Sequence, residues 1–346
     1  MLLSTEQRGR LLGHLEALYP GQGQVAGERF WTLLAAHPPS PVKPAWSEKE
    51  ALLVVRPHAL EALKALVGKL EAENPSQEAR LVMGLSLPFH PPKKPADLLE
   101  QLASLLHYAG QGVRLIHLEG LACEETWEAR LLVFLQEVLG WAAPQLSLAA
   151  RGSCGAVHWN ALLPLVARAF RQRDASELAA WAARPSSPGP HAIPCHVLSP
   201  EDRPTADPYE TLHALDQEEL GTQRLVAAGA IPLCLQGLPG IHLEELLGAP
   251  LELLHEPTSR AHRVFFRLLH LLRVRSVHPA FHPQAPQVVM ESHSVLRIIR
   301  GYRDQPVGCY INLTDQPQPI RRVGRDLISG RYFAGRIPPY GVLWLV

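Results

Sequence analysis

The sequence predicts a (β/α) barrel of TIM type followed by a C-terminal antiparallel β-sandwich domain. Two observations carry the prediction. Between residues 51 and 237, short apolar runs of strand length alternate with stretches of helical periodicity, the pattern of parallel strands joined by crossover helices. Beyond residue 283 the helical period vanishes, and short β runs broken by turn residues take its place. Seven strands in the first region favour a closed or nearly closed barrel over a three-layer sheet.

The elements follow in order. Residues 3–37 carry leucines and Phe30 at helical spacing, and the Pro-rich stretch 37–44 ends them. ALLVV (51–55) is a strand, and 58–72 is an amphipathic helix. RLVMGLSLPF (80–89) is the next strand. A helix over 97–110, with Asp97 as its N-cap, leads to the strand VRLIHLEG (113–120). A helix over 129–141 precedes the strand QLSLAAR (145–151), and GAVHW (155–159) and HAIPCHVL (191–198) are further strands. Residues 217–230 read as helix, IPLCLQG (231–237) as the last barrel strand, and GLPG (237–240) as a tight loop. A long helix over 259–275 is apolar over a wide face, which fits packing against a barrel. The domains expected are a helical extension over 1–45, the barrel over 46–282 and a β domain over 283–346.

Composition excludes several function classes. The chain has 346 residues, 47% of them hydrophobic, enough for one large core. Lys plus Arg and Asp plus Glu both number 33, so the formal net charge is zero. Such a chain exerts no general pull on nucleic acid or anionic lipid, and Arg321, Arg322 and Arg325 are too few to form a basic stripe. No apolar run is long enough to span a membrane. The first residues carry charges and lack the apolar core of a signal peptide, so a cytoplasmic protein is expected. The five cysteines are widely spaced and odd in number, which fits buried thiols rather than disulfides.

Several stretches resemble the sucrose-phosphorylase-type branch of the α-amylase superfamily. They are WSEKEALLVV, LSLPFHP, DLLEQLASLLHYAGQGVRLIHLEGL, IPLCLQGLPGIHLEELLG, FFRLLHLLRVRSVHPAFHPQAPQVV and the tail ending in PPYGVLWLV. The resemblance implies a retaining mechanism on α-glucosides, which needs one carboxylate to attack the anomeric carbon and another to protonate the leaving oxygen. In this family Arg stands where this chain has His117, and the nucleophilic Asp where it has Glu119. Arg151 occupies the place of the acid/base Glu. Beside the retained His196, Val197 replaces the Asp that grips sugar hydroxyls. The family's third strand and its inserted small domain have no counterpart, so the barrel is expected to be reduced.

These departures imply a shortened, degenerate member without working glycosidase chemistry. Arginine delivers no proton at physiological pH, and the extra methylene of Glu119 misplaces a nucleophile. Glu119 and Arg151 are expected on neighbouring strand ends as an ion pair. His90, His117, Glu119, Arg151 and His196 are the candidate binding residues, with a small carbohydrate, a partner protein or a second copy as occupant. Trp46, Trp159 and Tyr209 are aromatics that could stack on a sugar. No HxH or HExxH spacing joins His90, His117, His158 and His196, so neither a metal site nor a cofactor is expected. The alternative is a carbohydrate-active enzyme with altered chemistry built on Glu119, metal-assisted in one version.

Overall fold

The computed structural model describes residues 4–37, 51–73, 81–122, 126–151, 157–184, 193–198, 212–213 and 218–346. The chain divides into two compact units. Unit one comprises 1–47, 83–159 and 188–192; unit two comprises 48–82, 160–187 and 193–346. Seven parallel strands make the reduced barrel, and antiparallel sheets follow them.

Unit one opens with helices α1 (Thr5–Leu18) and α2 (Gly23–Ala35). The Ser4 hydroxyl accepts from the Gln7 amide at 3.1 Å while the Gln7 side chain accepts from the Ser4 amide at 2.8 Å, a reciprocal cap that starts α1. Most of β2 (Leu81–Pro88) belongs here, with β3 (Leu115–Ala122) and β4 (Ser147–Arg151), paired in the order β4-β3-β2. Helix α4 (Pro95–Gly110) begins two residues before the position expected for its cap. Proline lacks an N–H and suits the first helical position, so Asp97 becomes the third residue of the helix and accepts from the Lys94 amide at 3.2 Å. Phe30 of α2 meets Phe134 of α5 (Thr126–Ala142) edge to face, centroids 5.8 Å apart.

Unit two holds β1 (Ala51–Val55), β6 (Ile193–Leu198) and β7 (Leu238–His242), with β7 paired in parallel to both neighbours. Here the structure corrects the sequence reading. Residues 231–234 are not strand but the last turn of helix α8 (Glu218–Cys234), and the strand is the expected loop, LPGIH. A short, wholly apolar run serves a buried helix as well as a buried strand, so periodicity could not separate them. Pro232 sits inside this helix, where its ring removes one backbone hydrogen bond. Gly237, at φ +108°, turns the chain into β7, and a side chain there would collide with the Pro194 carbonyl.

Two buried arginines hold this helix end. Arg275, on α10 (Arg260–Val277), donates to the Leu233 and Gly237 carbonyls at 3.2 and 3.3 Å. Arg300, fully buried at the end of β9 (Val295–Arg300), donates to the Cys234 carbonyl at 3.2 Å, to that of Leu235, and to His282 at 2.9 Å. Backbone carbonyls at a helix C-terminus lack intrahelical partners and carry partial negative charge, and the guanidiniums answer both needs. Burial lowers Arg275 to about 9 and Arg300 to about 10.

The C-terminal strands form antiparallel sheets. Strands β8 (Gln287–Val289), β9, β10 (Val307–Asn312) and β13 (Val342–Leu345) form one antiparallel sheet, and β11 (Gln318–Arg325) pairs with β12 (Tyr332–Ile337). Cys195, Cys234 and Cys309 are buried free thiols, as expected, and burial pushes Cys195 up to about 12. Cys123 and Cys154 lie outside the described residues. Among the described residues no helix is long and apolar enough to cross a membrane.

Replacing Arg300 by Met strands several buried carbonyls at about 1–3 kcal/mol each. Arg300→Met is therefore expected to lower the stability read from equilibrium urea denaturation by at least ~2 kcal/mol. A second test concerns His242, 2% exposed at the end of β7, whose pKa is pushed from 6.5 down to about 3 by burial and then by Arg56. As pH falls below 6.5 the unfolded chain takes the proton first. The stability contributed by the neutral ring is full above 6.5 and drains away toward 3. His242→Phe is expected to flatten this acid limb, measured as the difference in stability between variant and parent from pH 7 to 5.

Candidate functional site

Two of the expected site residues of unit one, His117 and Glu119, lie together on β3 beside β2. Parallel register sets Ser86 beside His117 and Pro88 beside Glu119. His117 and Glu119 are two residues apart, so both face the same side of the sheet, while Ile116 and Leu118 turn into the apolar core. After Glu119 the strand breaks its regular path. Gly120 adopts φ +84°, the Phe89 amide donates to the Glu119 carbonyl at 2.9 Å, and the pairing with β4 shifts register between His117 and Ala122. A bulge of this kind re-aims the side chain beside it.

The central group is Ser86, which the sequence reading passed over. Its hydroxyl lies 2.6 Å from Glu119 Oε1 and 3.1 Å from His117 Nδ1. A serine hydroxyl has one proton, and a carboxylate only accepts. Ser86 therefore donates to Glu119, and His117 donates from Nδ1–H to Ser86. This is not the order of a nucleophilic triad, in which the imidazole stands between hydroxyl and carboxylate. It is a clamp on one oxygen of Glu119. Ser86 and His117 are buried, and Glu119 is half-buried.

The other candidates stand apart from this group or fall outside description. His90 is exposed just beyond β2, and its carbonyl accepts from Gln101 at 2.8 Å. Arg151 ends β4, its backbone opposite Ala122, but its side chain is outside the described residues, and with it the expected ion pair to Glu119. The side chains of His158 and Trp159, and Trp46 and Tyr209 entirely, are likewise outside them. Among the described residues no three His, Cys, Asp or Glu side chains gather in a metal-holding group.

In unit two, His196 and Val197 occupy β6 and are fully buried. The His196 Nε2–H donates to the Gln236 carbonyl at 2.7 Å, and Trp181 presents its ring edge-on at 5.4 Å. Val197 packs closely against Gly240, where a side chain would clash with it. Unit two also contains a charged cluster that sequence reasoning missed. Glu244 and Glu245, in the first turn of α9 (Leu243–Leu247), meet the end of β1. Glu244 accepts from the Arg56 amide at 2.8 Å and pairs with His58 at 2.7 Å, while Glu245 pairs with the Arg56 guanidinium at 2.9 Å. The misplaced strand hid it: with the strand drawn at 231–237, these carboxylates fell in a distant loop.

In fold and in sequence the chain is similar to carbohydrate-active enzymes of known structure or activity. In sequence it is 33% identical over 348 residues to the glucosylglycerate phosphorylase of Allomeiothermus silvanus. That alignment covers 73% of this chain and 63% of the relative, so the chain spans less than two thirds of the relative's length. Among solved structures, the fold is similar to AmyP in complex with maltose, with TM-score 0.54 and 11% identity over 81% of this chain and 77% of that one. It is also similar to the cyclic α-maltosyl-(1→6)-maltose hydrolase of Arthrobacter globiformis, with TM-score 0.51 and 16% identity over 83% and 78% of the chains. No protein-family model matches the sequence.

The serine clamp makes a spectroscopic prediction. In the parent protein, ¹⁵N spectra of the His117 ring are expected to show a single Nδ1–H tautomer. In Ser86→Ala they are expected to show a mixture, with the fold unchanged by circular dichroism.

Proposed function

We propose that this chain binds an α-glucoside through the Ser86, His117 and Glu119 group and does not cleave it. The observation that supports this reading is that Glu119 is a single carboxylate with one oxygen already engaged by Ser86. Glycosidic cleavage by retention needs a second carboxyl group about 5–5.5 Å away. The strand end that supplies it in the resembled family reads Ala149-Ala150-Arg151 here, and the sugar-gripping position is a buried valine. His90 and Arg151, of the same unit, complete the proposed set of binding residues, and His196, buried in unit two, is left out of it. A protein partner or second copy is the competing occupant, and the cytoplasm remains the proposed compartment.

A second reading has Glu119 still working as a nucleophile in phosphorolysis. It is favoured by the 33% identity to a phosphorylase and by the fixed orientation of the Glu119 carboxylate. One experiment separates the two. Glucosylglycerate, sucrose and glucose are titrated calorimetrically, and release of glucose 1-phosphate is followed in phosphate buffer. Binding without release, weakened at least ~10-fold by Glu119→Gln, supports the first reading. Release that Glu119→Gln abolishes establishes the second. Neither binding nor release removes both.

A further inference from the structure

Residues 316–346 hold five arginines, Arg321, Arg322, Arg325, Arg331 and Arg336, and one acid, Asp326. Along the chain the first three make only a short cluster, and strand pairing brings the others to it. The hairpin β11–β12 sets Arg325 opposite Tyr332 and Pro319 opposite Arg336, and direct cross-strand partners share a face. Tyr332 and Arg336 are four residues apart on β12, about 13 Å along the strand. The register shift between Ile320 and Gly324 leaves Arg321 and Val323 exposed beside them, while Arg322, half-buried, donates to the Tyr310 hydroxyl. The other face is apolar: Ile320 and Ile337 are buried in a core with Leu345, and Phe333 packs against it. Beyond β12 the chain turns at Tyr340, held left-handed at φ +49°, and returns as β13. There the Val346 amide donates to the Arg325 carbonyl at 3.0 Å and fixes the hairpin to the main sheet.

The arginines of this face have no counter-charge. Asp326 is 2% exposed, and its carboxylate accepts from the Ser329 hydroxyl at 2.6 Å and from the Ser329 and Trp344 amides at 3.0 Å. Asp315, just before the hairpin, pairs with Arg173 at 2.9 Å. Among the described residues Arg321, Arg325, Arg331 and Arg336 form no ion pair. Two of them are nonetheless oriented. Arg336 donates to the Pro317 carbonyl at 2.7 Å, and Arg325 to that of Gly330 at 3.3 Å. A carbonyl steadies a guanidinium without cancelling its charge and leaves it further N–H donors. Side chains steadied in advance lose less entropy on binding.

Beside these cations Tyr332 is 74% exposed and Val323 52%. Tyrosine and arginine are the residues that anchor protein interfaces. Nucleic acid fits less well, because the hairpin exposes one aromatic ring rather than a series for successive bases. The zero net charge of the chain adds no steering toward a long polyanion.

We propose that this face docks an acidic, extended segment of a partner protein. Its carboxylates meet the guanidiniums of Arg321, Arg325 and Arg336, and its apolar side chains meet Tyr332 and Val323. The surface lies in unit two and does not rest on the Glu119 group.

The probe is a fluorescein-labelled peptide, Glu-Leu-Glu-Gly repeated three times, titrated with the whole chain and read by anisotropy. The same peptide with Gln for every Glu, and an oligothymidylate of equal length, are the controls. The expected result is that the acidic peptide binds, more weakly as salt rises, and that both controls bind at least ~10-fold more weakly. Arg325→Gln and Arg336→Gln together, and Tyr332→Ala alone, each weaken binding several-fold with the thermal midpoint unchanged, and the two Arg→Lys changes recover part of the loss. The Gln peptide binding as tightly as the acidic one, affinity indifferent to these variants, or no binding at millimolar chain overturns the proposal. Tighter binding of the oligothymidylate does so too, because the face would then be a nucleic-acid surface. So does light scattering that shows a dimer dissolved by Tyr332→Ala, because the face would then belong to a second copy.

Discussion

Where helix α8 stops decides the geometry of unit two, and two buried guanidiniums decide where it stops. Arg275 and Arg300 reach the Leu233, Cys234, Leu235 and Gly237 carbonyls from different elements, one from a helix and one from a β strand. Neither arginine has a carboxylate among these partners. Their charge is balanced by the negative end of a helix and by several oriented carbonyls. The helix thus ends at Cys234 rather than running on. The left-handed Gly237 then turns the chain, and β7 starts in the register that sets Gly240 between Val197 on one side and Leu52 on the other. His242, Glu244 and Glu245 take their places at the end of β1 as a consequence. Trp344 donates to the Cys234 sulfur at 3.2 Å and adds a third tie from the β domain.

Much of this fold was legible in the sequence, because its parallel strands are short β-branched and leucine-rich runs between amphipathic helices. β1, β2, β3, β4, β5 (Val157–Ala161) and β6 lie within a residue or two of their expected positions. The failure came at 231–242, for a physical reason. A helix buried on nearly every side has no amphipathic stripe to reveal it, and a proline inside it argues for the wrong element. The strand that follows holds Pro239 and Gly240, residues depleted from strands, and tolerates them because small residues let β6 approach. The cues at both elements were therefore inverted by tertiary packing.

The site was legible to a similar degree. His117 and Glu119 stood out because they sit where a resembled family keeps charged catalytic groups. Ser86 did not, because a serine within an apolar strand has no chemical signature until the neighbouring strand is placed in register. Once placed, it changes what Glu119 can do. A carboxylate clamped at Oε1 by a hydroxyl that is itself held by an imidazole offers its remaining oxygen from a fixed direction. Such an arrangement suits recognition of a ligand hydroxyl, which needs one well-aimed acceptor.

Tyr340 carries a consequence for how this chain can change over generations. A left-handed backbone costs a tyrosine about 1–2 kcal/mol that glycine would not incur. Substitution to glycine at this position is therefore favourable for the backbone and lies open to drift. What opposes it is the side chain: the ring packs 6.0 Å from Phe170, and the Arg224 guanidinium lies over it at 6.0 Å. In a lineage where that ring packing ceased to matter, residue 340 would be among the first of the β domain to decay to glycine or asparagine. A tyrosine maintained there marks a chain in which the turn is still under selection.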